Sequence, residues 1–397
     1  MKIIEVKSPE LMREFIVLAK KIYKGYPNWI RPLDKDIEQV FDKNKNKAYR
    51  HGESVQWLLK DDSGTAIGRI AAFYNKKTAN RDNKQPTGGL GFFECIDDQN
   101  AANILFDTAK EWLAGKGMEA MDGPVNFGER DRWWGLLIDG FDREPNYLCN
   151  YHPEYYLKLF ENYGFKLYFK QFTFERPVQL EITEKMRAKA ERVAKYSDIR
   201  FEHCVHLNKM GEYTELFKDA YNKAWGPIKG VSELSSGQAK AIMKSIKPIL
   251  DRRLLWFGFK GGEVISFFIM LPEMNQIFKH LDGQFGLLAK LKLLYYKTFV
   301  KNPKLTGLIF GVIPEYQGKG VEAAMVAAAA KIVQHELSYE TLEMNWIGDW
   351  NPKMLRVCEL VDGTVVKTHG TYRYLFDRTA PFERYPIMGE KKDKNNN

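Results

Sequence analysis

The sequence has few cysteines and lacks a long apolar run. The cysteines lie far apart, and no two of them form a Cys-x-x-Cys pair: Cys95, Cys149, Cys204 and Cys358. This usage is typical of free thiols in a reducing compartment and argues against a disulfide framework or a paired-cysteine zinc site. No window approaches an uninterrupted membrane span, and the N-terminus has no signal-peptide core. We therefore predict a cytoplasmic protein with no membrane partner.

The positive charge of the chain is not gathered into a block. The 397 residues carry 60 Lys and Arg against 51 Asp and Glu, which gives a net charge of +9. A basic excess favours anionic partners, including phosphorylated cofactors, but scattered basic residues weaken a nucleic-acid interpretation. We therefore predict that the chain binds no nucleic acid.

A metal site is also not indicated. The segment FEHCVHL contains His203, Cys204 and His206, but in an extended strand the two histidines would point to opposite faces. No second cluster of ligand-type residues accompanies them, so we predict no metal.

The order of predicted elements repeats once along the chain. Each half contains a helix, a hairpin, a strand, a helix, a strand, a helix and a final strand. The hairpins turn at 62–64 and 261–262. This order predicts a mixed α/β fold made of two duplicated domains. We place the first domain at 1–177, a linker helix at 178–200, the second domain at 201–380 and a solvated tail at 381–397.

The second half contains a glycine-rich corner between a strand and an alanine-rich helix, within GVIPEYQGKGVEAAM. Such a corner can hold a phosphate on unpaired backbone N–H groups at the positive end of the helix dipole, or it can be a simple tight turn. The spacing fits neither a Walker A loop nor a Rossmann fingerprint.

The residues from Val312 to Val321 resemble the acyl-CoA signature of GCN5-related N-acetyltransferases (GNAT), which has Arg or Gln, two residues, Gly, one residue, and Gly or Ala. Asn351 opens a helix after the next strand, as an Asn does in that family, and the element order from Phe201 to Asp377 matches. The resemblance implies two GNAT-like domains in tandem. PEYYLKLFENYGF resembles the family's last helix, whereas CIDDQNAANILF supplies aspartates instead of glycines. The first copy is therefore expected to have lost cofactor binding.

The resemblance also implies a pose for acetyl-CoA or another acyl-CoA. The pyrophosphate would lie on the amides of the corner, the pantetheine arm would pair with the strand edge, and an Asn side chain would help to hold that arm. The corresponding residues are Gln317, Gly318, Lys319, Gly320 and Val321, then Phe310 and Val312, then Asn351.

Two positions depart from the family pattern. Glu322 stands where the family has Gly or Ala, and a carboxylate there would repel phosphate. Cys358 stands where many members have a tyrosine general acid, so its thiol is the candidate proton donor.

Further candidate residues come from the strand beside the predicted cleft and from a loop of the first half. Glu343 is a candidate general base or an exposed surface residue, and Asn345 is a candidate for lining the site. The stretch NFGERDRWWGLLIDGF and the following NYHPEYY are either a substrate site or an inter-domain contact. The candidates there are Asn126, Glu129, Arg130, Trp134 and His152.

The resemblance implies an N-acyltransferase, most simply an acetyltransferase, that acts on a small-molecule or peptide amine by direct attack in a ternary complex. The alternatives are a non-catalytic acyl-CoA sensor or scaffold and, ranked lower, an aminoacyl-tRNA-dependent cell-wall transferase. The chain is expected to be a monomer or a homodimer.

Overall fold

The computed structural model describes residues 1–81, 83–226 and 233–389. The last residues of the predicted tail, 390–397, lie outside the described residues. Among the described residues, no helix combines the length and the apolar character needed to cross a bilayer.

The described residues form thirteen strands and eleven helices. The strands are β1 Lys2–Glu5, β2 Gly52–Lys60, β3 Ala66–Asn75, β4 Thr87–Cys95, β5 Ala120–Gly123, β6 Leu136–Asp139, β7 Lys166–Pro177, β8 Ile199–His203, β9 Leu255–Lys260, β10 Glu263–Pro272, β11 Lys304–Val312, β12 Thr341–Gly348 and β13 Thr364–Leu375. The helices are α1 Pro9–Ile22, α2 Asp34–Phe41, α3 Gln99–Gly115, α4 Tyr155–Tyr163, α5 Glu184–Ala194, α6 Met210–Trp225, α7 Ser236–Ile246, α8 Asn275–Phe278, α9 Leu287–Phe299, α10 Val321–Glu336 and α11 Pro352–Leu360.

All strands belong to one sheet, in which twelve strands follow the order β1-β2-β3-β4-β5-β13-β7-β12-β11-β10-β9-β8 and β6 pairs with β13. The last strand of the second half, β13, therefore lies between β5 and β7 of the first half. In turn, β7 pairs with β12 of the second half. The predicted boundary at residue 177 divides the chain by sequence order and stays a prediction. In space, the two halves exchange their final strands.

Helices cover both faces of the sheet in each half. In the first half, α3 and α4 pack on one face and α1 on the other, as the alternation of Leu58 with Trp57 and Leu59 requires. In the second half, α6 and α7 cover one face and α10 covers the other. The predicted linker helix is α5, and it packs against α10. The two cores thus lie side by side along a shared sheet.

Candidate active site

The glycine-rich corner forms as predicted between β11 and α10. A short 3₁₀ turn at Pro314–Tyr316 follows the strand, and α10 begins at Val321. Gly318 has φ +74° and Gly320 has φ +94°, a left-handed backbone that glycine adopts without steric cost. Gly320 is the N-cap residue of α10, and no side chain caps the helix there. The first turn of α10 therefore presents backbone N–H groups at the positive end of the helix dipole.

The two glycines of the corner have different neighbours. A Cβ at Gly318 would meet nothing within 4 Å, so this residue faces open space. A Cβ at Gly320 would lie 3.2 Å from the carbonyl oxygen of Lys189 and 3.2 Å from a methyl group of Val193, both in α5. The sequence interpretation, in which both glycines admit a phosphate, is therefore incomplete. The lack of a side chain at Gly320 also lets α5 pack against the corner.

Glu322, which departs from the family pattern, reaches back over the corner. Its carboxylate accepts a hydrogen bond of 3.0 Å from the N–H of Gly318. A phosphate on this corner would compete with that carboxylate for one donor. Among the described residues, no hydrogen-bond acceptor is paired with the N–H groups of Gly320, Val321 or Ala323. The N–H groups of Gln317 and Lys319 donate to the carbonyl oxygens of Pro314 and Tyr316. The corner thus keeps donors for an anion at Gly320 and in the first turn of α10, while the three N–H groups before Gly320 are already engaged.

Helix α11 adds a cation beside the corner that the sequence analysis missed. The Nζ of Lys353 donates to Oε1 of Gln317 at 3.2 Å, and Nε2 of Gln317 donates to the carbonyl oxygen of Val312 at 2.9 Å. Asn351 is the N-cap of α11, with its Oδ1 accepting from the N–H of Met354. The sequence signal that could have identified Lys353 is its position two residues after Asn351. Gln317 and Lys353 brace the corner, and Lys353 adds positive charge to it.

The strands β11 and β12 separate next to this corner. They pair in parallel from Lys304 and Thr341 only as far as Gly307 and Met344. Beyond that point, Leu308 is skipped in the register with β10, and Trp346 has φ +67°. No backbone hydrogen bond joins 308–312 to 345–348 in the described chain. The resulting gap exposes a strand edge that can pair with an extended ligand.

The side chains of the predicted strand contacts point into protein rather than into this gap. Val312 is buried, and Phe310 makes an edge-to-face contact with Phe268 at 5.4 Å. Contact of Phe310 and Val312 with a ligand is therefore possible only through backbone atoms, as the predicted pairing requires.

Glu343 is buried in an ion-pair cluster, so the alternative of an exposed surface residue is wrong. Its carboxylate lies 2.7 Å from Nζ of Lys367 and 3.4 Å from Nζ of Lys304. Burial opposes ionisation, but attraction to Lys367 and Lys304 outweighs it and lowers the pKa of Glu343 below its ordinary value. A carboxylate held in this way is a weak base. Glu343 is therefore better suited to balance the charges of Lys367 and Lys304 than to remove a proton from a substrate.

Cys358 is a core residue, which contradicts its predicted role as proton donor. The side chain is fully buried between α11 and the sheet, in a cluster with Phe174 and Ile347. Burial raises the pKa of the Cys358 thiol to about 12. A thiol without solvent access and with this pKa is unsuited to protonate a departing thiolate.

The predicted substrate residues of the first half do not form one group. Asn126 is buried and its side chain donates to the carbonyl oxygen of Glu129 at 3.0 Å, so it braces the loop. Arg130 lies over the ring of Trp134 at 5.4 Å. His152 is interior, where its Nδ1 accepts from the N–H of Leu137 at 3.1 Å. Burial lowers the pKa of His152 to about 3, so it is neutral and structural.

Asn345 lies in the separated part of β12, apart from the loop that carries Arg130 and Trp134. Its Oδ1 is buried, and no donor among the described residues contacts it. A buried acceptor without a partner is rare in folded proteins and marks a position where a ligand or water can bind. Asn345 therefore remains a candidate for lining the site.

A loop of the first half, residues 144–150, contacts the second half beside the separated strands β11 and β12. Glu273 accepts from the N–H of Tyr147 at 2.8 Å, from the side chain of Asn146 at 3.0 Å and from Thr306 at 2.8 Å. The indole N–H of Trp346 donates to the sulfur of Cys149 at 3.0 Å. The sequence analysis missed Glu273 and this loop, because neither belongs to a motif. The loop places the first half against the separated strands.

No group of three or more potential metal ligands occurs among the described residues. β8 ends at His203, so His206 lies beyond the strand.

Comparisons with known proteins add to this geometry. No family model matches the chain. A protein named bacterial ceramide synthase, from Caulobacter vibrioides (strain NA1000 / CB15N), is 26% identical over 377 residues, which span 94% of this chain and 97% of that protein. The likeness supports acyl transfer in general terms and leaves the acyl group and the acceptor open.

Two solved structures share the fold. One is a tandem GNAT protein from the clavulanic acid biosynthesis pathway, with TM-score 0.53 and 9% identity over 96% of this chain and 99% of that one. The other is the GCN5-related glucosamine N-acetyltransferase region of a fungal multi-domain GH3 β-N-acetylglucosaminidase, with TM-score 0.55 and 11% identity over 94% of this chain and 38% of that one. The chain therefore has the tandem GCN5-related N-acetyltransferase fold that the sequence resemblance implied.

Proposed function

We propose that this chain transfers an acyl group from acyl-CoA to a primary amine. The observation that carries the proposal is the separation of β11 from β12 directly beside the open N-terminus of α10. An extended pantetheine arm can pair with the free strand edge while its pyrophosphate lies on the N–H groups of 318–321. Two contacts within the protein oppose this fit: the N–H of Gly318 donates to Glu322, and the N–H of Lys319 donates to the carbonyl oxygen of Tyr316 at 3.4 Å.

The proposed chemistry is direct attack of the amine on the thioester. The amine nitrogen bonds to the carbonyl carbon and the carbon–sulfur bond breaks. A base takes the proton lost by the amine, and that proton passes to the departing sulfur, so that CoA leaves as its thiol. A backbone N–H on the free edge of β11 would stabilise the oxyanion, and the break in the register with β10 at Leu308 supports this assignment. Glu343 and Lys367 lie beneath this region and fix its charge rather than carry the proton.

The acyl group and the acceptor are part of the proposal. Acetyl is the simplest donor group, but the relative from Caulobacter is named as a ceramide synthase, and a ceramide is an amide of a long-chain amine. We therefore favour a long-chain amine as the acceptor class.

A binding experiment with a matched pair of variants tests the cofactor site. Gly318→Val places a β-branched side chain on the open side of the corner, at φ +74°. It is expected to weaken acetyl-CoA binding by about tenfold or more, which is about 1.4 kcal/mol, as measured by calorimetry. Gly64→Val is the control, because Gly64 has φ +81° and equally open surroundings in a distant hairpin. Equal affinity of the two variants would remove the proposed site.

A second candidate function is an acyl-CoA sensor without catalysis. The burial of Cys358 favours it, since a buried thiol cannot serve as the proton donor that catalysis needs. Thiol release separates the two functions. A transferase releases CoA thiol from acetyl-CoA or palmitoyl-CoA when a short-chain or long-chain amine is added, whereas a sensor binds the thioester and releases none.

A further inference from the structure

Helix α9 exposes an apolar face that the fold does not use. Its large apolar side chains on this face are each between 56% and 77% exposed: Leu287, Leu288, Leu291, Leu294, Tyr295 and Phe299. Among the described residues, only one other large apolar side chain, Tyr196, is exposed by more than 55%. Scattered apolar residues on a surface are ordinary, but a contiguous patch of this kind marks an interaction surface.

The opposite face of α9 fixes the helix to the protein. Ala289, Leu293 and Tyr296 pack into a cluster with residues of α8 and the following turn, and Tyr296 stacks on His280 with ring centroids 4.0 Å apart. The inner face thus follows the i, i+4, i+7 spacing of a docked helix. The exposed leucines are therefore not needed to hold α9 in place.

Lysines border the exposed face on both sides. Viewed down the helix axis at about 100° per residue, the exposed apolar side chains cover an arc of roughly 140°, with Leu294 at one edge and Phe299 at the other. Lys292 borders one edge of this arc, and Lys290 and Lys297 border the other. Within the described residues, no carboxylate pairs with Lys290 or Lys292.

The segment that contains α9 is basic, whereas Asp34 and Glu38 lie near its first end, beside Gly286. From Gly283 to Pro314 the sequence contains five lysines and no Asp or Glu. Lys301 pairs with Glu340 from outside this segment, and Lys297 donates to the carbonyl oxygen of Pro248. An apolar arc bordered by lysines is complementary to a surface that is apolar inside and anionic at its rim.

We propose that α9 docks this protein onto an anionic lipid surface. The helix lies in the plane of the interface, with its outer apolar side chains among the lipid chains and Lys290, Lys292 and Lys297 near the head groups. The proposal departs from the sequence expectation of no membrane partner, which was based on the lack of a spanning segment. It rests on the surface of α9 alone and does not depend on acyl transfer.

Vesicle sedimentation with the full chain tests the proposal. The probes are vesicles of phosphatidylcholine alone and vesicles in which about one third of the lipid is phosphatidylglycerol. The protein is expected to bind the anionic vesicles at least about tenfold more tightly than the neutral ones, and about 0.5 M salt is expected to weaken that binding.

Variants on the outer face separate α9 from the rest of the surface. The double variant Leu288→Ser with Leu294→Ser is expected to weaken vesicle binding by about tenfold or more. Lys290→Gln and Lys292→Gln are each expected to weaken it by about fivefold. The matched controls are Tyr196→Ser with Val365→Ser, and Lys158→Gln, all exposed positions outside α9. Circular dichroism checks that each variant is folded.

Three results would overturn the proposal. The wild-type protein could fail to bind anionic vesicles, or the α9 variants could bind them as tightly as the controls. Light scattering could instead show a dimer that Leu288→Ser with Leu294→Ser dissociates, which would assign the face to a second copy of the chain.

Discussion

The two halves of this chain build the same strand-to-helix corner and fill its backbone donors differently. In the second half, the corner before α10 has a glycine at its N-cap and no capping side chain. In the first half, Asp98 is the N-cap of α3, and its carboxylate accepts from the N–H of Ala101 at 2.9 Å. A carboxylate at this place satisfies a helix N-terminus from within and repels a phosphate.

The strands beside each corner also differ, because those of the first half stay joined by hydrogen bonds and those of the second half separate. In the first half, the N–H of Val125 donates to the carbonyl oxygen of Leu90 at 2.8 Å, which keeps the backbone beyond β5 joined to β4. The hydroxyl of Tyr156 accepts from the N–H of Cys95, and that of Tyr155 donates to its carbonyl oxygen. In the second half, no backbone hydrogen bond joins 308–312 to 345–348 among the described residues, although the side chain of Gln317 donates to the carbonyl oxygen of Val312. The two corners thus differ in binding potential because the backbone beside the first corner is bonded across its strands and the backbone beside the second is not.

The largest predicted effect concerns acidic residues at equivalent places in the two halves. Glu343 is the third residue of the parallel register of β12, and Asp122 is the third residue of that of β5. Each pairs with a cation of β13, Glu343 with Lys367 and Asp122 with Arg373 at 2.6 Å. Lys367→Met leaves the buried carboxylate of Glu343 with Lys304, at 3.4 Å, as its remaining cation, and we expect the free energy of unfolding to fall by about 3 kcal/mol. Denaturant unfolding measures this loss.

Arg373→Met sharpens that prediction. Asp122 keeps 17% of its side chain in solvent, against 2% for Glu343, so we expect a smaller loss of about 1–2 kcal/mol. Adding Glu343→Gln to Lys367→Met should recover part of the stability. A larger loss for Arg373→Met than for Lys367→Met would contradict the account of Glu343 as the more deeply buried charge.

A smaller effect is expected from mild acid, and it should fall on the first half. The buried imidazoles of His152 and His369 lie on the first-half side of the sheet, where β13 pairs with β6. Burial lowers the pKa of His152 to about 3 and that of His369 to about 4. Since both folded-state values lie below the ordinary 6.5, the unfolded chain binds more protons as the pH falls below about 6.5.

Each histidine should therefore cost about 1 kcal/mol of unfolding free energy at pH 5.5 relative to pH 7. Native-state hydrogen exchange at the two pH values should show β6 and its neighbours losing protection before α6 and α7. The exposed His51→Gln is the control, and His152→Gln should reduce the pH dependence. Equal loss of protection in both halves would show that these imidazoles do not set the acid response.

The smallest predicted effect comes from removing the negative charge of Glu322, which makes the second corner less like the first. Glu322→Gln removes a negative charge beside the corner and weakens its bond to the N–H of Gly318. We expect acetyl-CoA to bind about threefold to fivefold more tightly, because a helix-terminal charge contributes up to about 1 kcal/mol. Calorimetry against Glu315→Gln, an exposed acid of the same loop, measures the difference. Weaker binding by Glu322→Gln would mean that this carboxylate supports the site.

The sequence predicted the elements with clear periodicity and clear ends. The helix predicted within PEYYLKLFENYGF is α4, which Gly164 closes in a left-handed conformation, and both hairpins turn where predicted. The exchange of β7 and β13 was not predicted, because alternation indicates a buried face but not the pairing partner. α9 was also missed. It is apolar on two faces and begins at Gly286 without a capping side chain, so neither periodicity nor a cap marks it.

The candidate site, like the fold, was predicted where local sequence determines the structure and missed where distant segments meet. The corner follows from local order, whereas the open strand edge and Asn351 were implied by the family resemblance. The burial of Cys358, the pairing of Glu343 with Lys367, and the contact of Gly320 with α5 depend on segments distant in sequence. No local pattern contains that information.

The most direct test of the central claim is a crystal structure of the protein with bound CoA. The account predicts one CoA in each chain, with its pyrophosphate oxygens within hydrogen-bonding distance of the N–H groups of 318–321 and its pantetheine arm along 308–312. A CoA bound at the first-half corner, residues 95–99, would contradict the account, as would crystals grown with saturating CoA in which the second corner holds none.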